Sequence, residues 1–436
     1  MSIPVVTVGQ SREDLVGGLE RLHGPVTVVR RCSELAELLA ACQSGLARAA
    51  VVAEGSDELT ASLVDRLTAV GVVIVALTDS ATETARLTAI GVTAAPAGVD
   101  SAALAGRISG AVAQWALPGS VQAGDSGFAD TGAAIRTLPG EGDDLPAEPS
   151  GAGQVLAVWG PAGSPGRTLV AVNMAGELAA AGNSVLLIDA DSYGASVAGL
   201  LGLLDESAGL AQACRLADLG QLDADALLKI ATSVALKPGT LQVLTGITRA
   251  DRWTELRASA LGAVFEKARE VADYIVVDTG FCLEADEELS FDTMAPRRNA
   301  ATLRSLELAD TVYAVGSADS IGVPRLVRGL SELEAAVPQA SPRVILNKVR
   351  ASAVGRFPER QLREAWERYG PAEGIASFLP SDNAACDAAL LSGSLLLEAA
   401  PESGLRYAIA ETVCAPVQQK RRSSVFSSTA KRHLKG

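Results

Sequence analysis

The chain has 436 residues, room for two or three domains at roughly 100–200 residues each. With 48% hydrophobic and 20% charged residues, it can bury substantial cores, and wholesale disorder is excluded. Its 37 basic against 51 acidic residues leave a net charge of −14, which argues against a body that coats nucleic acid non-specifically.

The positive charge is concentrated at one end. From Val417 to Gly436 there are six basic residues and no acids, so the remainder carries −20. Six dispersed cysteines and two histidines predict no zinc site and no histidine-based triad. They read as small core residues in a reducing cytosol. No signal peptide is expected at MSIPVVTVGQ, and no apolar run reaches the ~18–20 residues of a membrane span.

Residues 1–116 alternate β-branched runs with amphipathic stretches. Strands are expected at Ile3–Val8, Val26–Arg30, Ala49–Ala53, Val72–Leu77 and Val92–Ala95. Helices are expected at Arg12–Leu22, Ser33–Gln43, Thr60–Val70, Thr82–Ile90 and Ser101–Trp115. Five βα units of this length predict a flavodoxin-like α/β domain. Residues 117–153, rich in Gly, Pro, Ala and acids, read as a flexible acidic linker.

Residues 154–416 return to βα alternation. Strands are expected at Val155–Trp159, Ser184–Ile188, Leu241–Leu244, Tyr274–Val277, Thr311–Val315, Arg343–Leu346 and Ile375–Phe378. Runs such as VLLI and YIVV suit parallel strands buried on both faces. Covering helices are expected at Thr168–Ala181, Trp253–Ala272, Asn299–Leu308, Pro324–Ala336 and Glu359–Tyr369.

The chemistry concentrates after the first of these strands. A Gly/Pro/Ser loop runs from Trp159 to a helix opened by Thr168, a setting that offers backbone N–H groups and a helix N-terminus to phosphates. Gly163 and Gly166 let the backbone approach an anion, Thr168 is placed to ligate Mg²⁺, and Arg167 to reach terminal phosphates. The loop departs twice from GxxxxGK[ST], with Pro161 at the first Gly and Arg167 at the Lys. The strand Val185–Asp191 ends in Asp189 and Asp191, expected beside the loop if the two strands are neighbours. Tyr274–Val277 is followed by Asp278. One acid can support Mg²⁺ and another orient a water.

These residues carry a resemblance. GRT, VLLIDAD, VVDTG, the NKVR at Asn347–Arg350 and the tail LPSDNAACDAALLSGSLLLEAAPESGLRYAIA resemble the deviant Walker ATPases of the MinD/ParA class, over about residues 154–416. The CpaE/TadZ-like subgroup, associated with Flp/Tad pilus assembly and polar localisation, and septum-site-determining proteins of actinobacteria look most similar. The resemblance implies a mostly parallel P-loop NTPase domain that binds ATP and Mg²⁺. It places Gly163, Ser164, Gly166, Arg167 and Thr168 on the phosphate loop. Asp189 and Asp191 fall on the Mg²⁺ and water-activating acids, Asp278 on the Walker B acid and Asn347 on the adenine side. The family's signature lysine, which reaches a dimer partner's nucleotide, is Ala162 here, and its second lysine is Arg167. Hydrolysis and nucleotide-dependent homodimerisation are therefore open, and Arg297 and Arg298 are candidates for the missing charge.

The N-terminal domain resembles a response-regulator receiver without its chemistry. Val8–Gly9–Gln10 lacks the acidic pair, with Glu13 and Asp14 already in the helix. Glu54 stands near the phosphoacceptor position and Ala95 at the lysine, and Thr78 alone matches. This implies a docking domain that accepts no phosphoryl group. The tail 417–436 is a candidate for weak membrane-surface or nucleic-acid contact. The resulting expectation is a cytoplasmic, nucleotide-dependent spatial regulator working with protein partners of a pilus, division or polarity machine, at the inner face of the membrane if the tail binds lipid. The alternatives are a non-hydrolysing scaffold and a DNA-partition ATPase.

Overall fold

The computed structural model describes residues 2–9, 15–22, 24–115, 153–203, 208–285 and 297–414. The expected linker (but for Gly153) and basic tail lie outside the described residues, as do Gln10, Glu13 and Asp14. The chain divides into two compact units, with the main division between Ser150 and Gly151.

The first unit has five strands, β1 (Ile3–Val8), β2 (Val26–Cys32), β3 (Ala49–Val52), β4 (Val73–Leu77) and β5 (Thr93–Ala95). All pair in parallel in the order β2-β1-β3-β4-β5, the flavodoxin-like arrangement. The period-two alternation of each strand feeds two cores. Val6, Val8, Ala50, Val52 and Ile74 pack on one face with Leu38, Leu67 and Leu87. Val5, Val51, Val75 and Leu77 pack on the other with Leu19, Leu104 and Ile108. Side-chain caps start two of the helices. Thr60 accepts from the Leu63 N–H before Ala61–Ala69, and Ser80 from the Glu83 N–H before Ala81–Ala89.

The second unit is built on eight strands, β6 (Gln154–Trp159), β7 (Val185–Ala190), β8 (Thr232–Ala235), β9 (Thr240–Leu244), β10 (Tyr274–Thr279), β11 (Thr311–Ser317), β12 (Pro342–Val349) and β13 (Ile375–Pro380). Their order is β13-β12-β11-β6-β10-β7-β9-β8. Every pairing is parallel except β8 with β9. Strand β8 is an edge strand of four residues, half-buried at alternate positions, so it carries no apolar run for sequence reading to find. The expected helix Trp253–Ala272 is two elements, a 3₁₀ segment Ala250–Glu255 and a helix Ala258–Val271. Leu256 is buried where the backbone breaks, and its anchoring in the core fixes the interruption.

The helix Arg167–Ala180 sits at the centre of this unit, with Val170 through Ala179 all buried. Two of those residues are polar, and each is satisfied by the chain's last elements. Asn173 donates to the Leu169 carbonyl at 2.8 Å and accepts from the Leu396 N–H at 2.8 Å. Glu177 takes two hydrogen bonds from Arg406, at 2.6 and 2.9 Å, in the helix over residues 404–414. The C-terminal segment is thereby tied to the helix that begins at the glycine loop. Arg406→Ala strands a buried carboxylate and is expected to cost about 2–3 kcal/mol, with Glu177→Gln costing less. Urea denaturation followed by circular dichroism checks this; an unchanged midpoint for Arg406→Ala would mean that solvent already screens the pair.

Candidate active site

The loop Gly160–Gly166 leaves the C-terminal end of β6 and delivers Arg167 and Thr168 to the first turn of the central helix. Three residues take the left-handed backbone: Gly163 at φ +110°, Ser164 at +53° and Gly166 at +95°. Crowding reinforces the choice of glycine. A Cβ on Gly163 would stand 2.1 Å from Arg325 Nη1, and one on Gly166 would stand 2.5 Å from Asn347 Nδ2. Among the described residues, no acceptor takes the N–H groups of Gly163, Ser164 and Gly166 through Thr168. They form the kind of N–H concavity that receives an anion.

The carbonyls of the loop are occupied instead. Arg167 Nη1 donates to Gly160 O at 2.9 Å and to Pro161 O at 3.4 Å. Arg325 Nη1 donates to Ala162 O at 3.1 Å, Lys348 Nζ to Ser164 O at 2.8 Å and Asn347 Nδ2 to Pro165 O at 2.8 Å. Arg325 comes from the helix Gly322–Ala336, whereas Asn347 and Lys348 end β12.

Three carboxylates converge beside this loop. The arrangement differs from the expectation in one respect: β7 does not neighbour β6, because β10 lies between them. The intervening strand puts Asp278 in register with Asp189 on one side and Val158 on the other. Asp189, 1% exposed, accepts from the N–H groups of Ser196 (2.9 Å), Val197 (3.0 Å) and Asp191 (3.2 Å). Burial nevertheless pushes its carboxyl up to about 7, against those N–H groups and with help from Asp191. Asp191 accepts at Oδ1 from Tyr193 N–H (2.8 Å) and Gly194 N–H (3.2 Å), and its Oδ2 faces Arg167 Nη2 at 3.3 Å.

Asp278 is the least compensated of the three. It is 1% exposed, and neither oxygen has a donor at full hydrogen-bond geometry. Burial and then the Asp189 charge hold its carboxyl well above the ordinary range, while the nearby Thr168 hydroxyl and Arg167 pull the other way. A buried carboxylate without a partner, a hydroxyl and a row of free N–H groups fit a divalent cation carried in by phosphates. Mg²⁺ is held by one or two carboxylates plus phosphate oxygens rather than by an all-protein cage. Among the described residues, no group of three or more His, Cys, Asp or Glu side chains forms such a cage.

Behind Asp191 lies a layer that sequence reading treated partly. Arg298 is half-buried, not solvated. Its guanidinium lies 4.4 Å over the Tyr193 ring, and its Nε is buried without a partner, whereas Arg297 is exposed. Tyr193 in turn donates to Asn299 Oδ1 at 2.8 Å and packs 4.9 Å from the Phe281 ring. Thr302 Oγ1, buried and unpartnered, faces the space at Gly280 that Asp191 Oδ1 also borders. Asn347, expected on the adenine side, is 2% exposed and has both amide atoms engaged, Oδ1 accepting from Lys348 N–H at 2.8 Å. Arg325 and Lys348 were missed. Lys348 lies within the quoted NKVR, but Arg325 sits in a helix with no local signal.

The first unit has a quieter strand-end surface. Gly9, at φ +85°, packs against Glu54, so that a Cβ would stand 2.5 Å from the Glu54 nitrogen. Thr78 Oγ1 accepts from Ser80 N–H at 3.1 Å, and Asp79 accepts from Ala97 N–H at 2.9 Å.

A glycine loop, a central helix and strand-end acids on a parallel sheet define a P-loop nucleotide-binding domain. The model of the CobQ/CobB/MinD/ParA nucleotide binding domain family matches residues 156–391, more than half of the chain. The chain belongs to that family. Among solved structures it is similar to a ParA family ATPase from Chlorobium tepidum TLS, at 20% identity and a TM-score of 0.50 over 60% of this chain and 99% of that one. It is also similar to the cell division ATPase MinD of Pyrococcus furiosus (17%, TM-score 0.47, 61% and 99%). A third is the septum site-determining protein MinD of Pyrococcus horikoshii OT3 complexed with Mg-ADP (16%, TM-score 0.46, 60% and 94%). At such identities the first likeness shows the fold. No curated protein matches the sequence.

The Asp278 environment has a measurable consequence. Its carboxyl binds a proton more tightly folded than unfolded. The ionised form therefore subtracts from stability, increasingly as pH rises above the unfolded carboxylate range. Asp278→Asn is expected to raise the melting temperature of nucleotide-free protein by about 2–5 °C at pH 8, with the gain shrinking towards pH 5. A variant that melts lower than wild type at pH 8 would show that the carboxylate is held by a favourable partner.

Proposed function

We propose that the chain is a nucleotide-dependent positioning regulator of the MinD/ParA class that binds Mg²⁺-ATP in the second unit. The observation that carries this reading is Asp278: a fully buried, unpartnered carboxylate, in register with Asp189 and beside a loop with free N–H groups. Bound Mg²⁺-ATP would supply the phosphoanhydride and a cation to neutralise its oxygens. The chain's residues divide the remaining work. The N–H groups from Gly163, Ser164 and Gly166 to Thr168 would receive phosphate oxygens, and Thr168, Asp189 and Asp278 would hold the metal. Asp191, steadied by the Tyr193 and Gly194 N–H groups, orients the attacking water. Arg167 releases its loop carbonyls and pairs with a terminal phosphate.

The finer assignment rests on the family resemblance: a CpaE/TadZ-like protein in Flp/Tad pilus assembly or in septum and polar positioning. In that reading, residues 1–116 are a pseudo-receiver that docks protein partners, 117–153 a linker, 154–416 the ATPase domain of a homodimer and 417–436 a tail making weak surface contacts. In that reading the protein acts in the cytoplasm, and at the inner face of the membrane if the tail binds lipid. No helix among the described residues is long and apolar enough to cross a membrane. One observation favours a second reading, a non-hydrolysing scaffold. Arg167 is turned back onto Gly160 O and Asp191, and Ala162 provides no cation.

Calorimetry and phosphate release with Mg²⁺-ATP separate the two. Wild type is expected to bind and turn over ATP. Asp191→Ala should bind within about threefold of wild type while losing ~100-fold or more in rate, and Arg167→Ala should lose affinity. Binding without turnover in wild type establishes the scaffold reading, and absence of binding overturns the nucleotide-dependent one, leaving a scaffold that works by protein contacts alone.

A further inference from the structure

The loop has lost the lysine charges that the resemblance leads one to expect, yet its geometry is strongly determined. Five of the six carbonyls from Gly160 to Pro165 are held by side-chain donors, three of them on residues outside the loop and its helix. In a trans peptide the C=O and the following N–H point in opposite directions. A donor that fixes a carbonyl on one side therefore aims the next N–H to the other. By this geometry Arg325, on Ala162 O, sets the Gly163 N–H, and Asn347, on Pro165 O, sets the Gly166 N–H.

Lys348 acts differently, because the residue after Ser164 is Pro165 and brings no N–H. Its ammonium fixes the left-handed Ser164 and places a full positive charge against the loop. Lys348 itself adopts φ +60°, a conformation disfavoured in a non-glycine residue that persists where the surroundings impose it. Its N–H is bonded to Asn347 Oδ1, and its side chain thereby reaches back to the loop.

We propose that Lys348 and Arg325, neither of them in the glycine-loop motif, supply the positive charge and the carbonyl orientation that give this loop its affinity for nucleotide phosphates. The proposal rests on the nucleotide-binding reading above. Both are positioning residues for the phosphate chain, in place of lysines within the loop.

The test is calorimetry of the full chain with Mg²⁺ and AMP, ADP or ATP. Lys348→Met and Arg325→Met are each expected to weaken ADP and ATP by about tenfold and AMP by less than about threefold, since the lost charge serves the distal phosphates. Lys348→Arg should recover most of the loss, and the salt dependence of ADP binding should become shallower in both Met variants. If AMP and ADP weaken equally, the side chains brace the loop without serving the distal phosphates, and the charge assignment on which the proposal turns is overturned; unchanged ADP affinity overturns the proposal too. Should Lys348→Met fail to fold, Arg325→Met, on a half-buried side chain, carries the same comparison. A wild type that binds none of the three nucleotides refutes the nucleotide-binding reading itself, an outcome distinct from wild-type binding with silent variants.

Discussion

Two buried carboxylates set side by side on adjacent parallel strands are the constraint around which the second unit is arranged. Asp189 and Asp278 occupy paired positions on β7 and β10, both about 1% exposed. Left alone, like charges in a low-dielectric interior are costly. Asp189 is partly compensated by three backbone N–H groups and Asp278 by none. Every hydrophobic contact that holds β6, β10 and β7 together also holds these acids in place. A fold selected for stability alone would have neutral residues there, so the arrangement has the form of a site whose missing positive charge is meant to arrive with a ligand.

The opposite problem is solved on the loop. A segment rich in glycine and proline has few intrinsic reasons to adopt one shape, and three of its residues take a left-handed backbone. Its shape comes from outside. Donors from β12, from the helix after β11 and from Arg167 occupy its carbonyls, and the buried helix that follows is anchored through Asn173 to Leu396 and through Glu177 to Arg406. Apart from Arg167, the donors that organise the loop come from parts of the sequence more than 150 residues away.

This separation explains what could be read from the sequence and what could not. Deep parallel strands such as Val185–Ala190 and Tyr274–Thr279 announce themselves by continuous apolar runs, and the acids that end them are visible for the same reason. Edge strand β8 and the break at Leu256 are decided by tertiary packing, and no local pattern marks them. Strand order is likewise non-local. Asp191 was expected beside the loop through adjacency of β6 and β7, whereas β10 intervenes and the approach is made by Arg167 bridging to Asp191. Asn347 was legible as a site residue only through the family resemblance, which placed it on the adenine side and not on the loop carbonyl it holds. Lys348 next to it lies in NKVR but received no role, since nothing in the sequence reports its positive φ.

Arg167 joins the two halves of the problem. Among the described residues its guanidinium is the one cation that touches both the loop carbonyls and an acid of the carboxylate group, and its Nε is buried without a partner. A lysine ammonium concentrates its three donors at one nitrogen, whereas the guanidinium fork reaches the loop carbonyls through Nη1 and Asp191 through Nη2. In the nucleotide-free chain this makes Arg167 an internal counter-ion to Asp191. In the proposed function, arriving phosphates would exchange protein acceptors for ligand acceptors at this one side chain. That exchange would free Asp191 Oδ2, which Arg167 holds at 3.3 Å. Arginine at the lysine position would therefore couple occupancy of the loop to the availability of the acid.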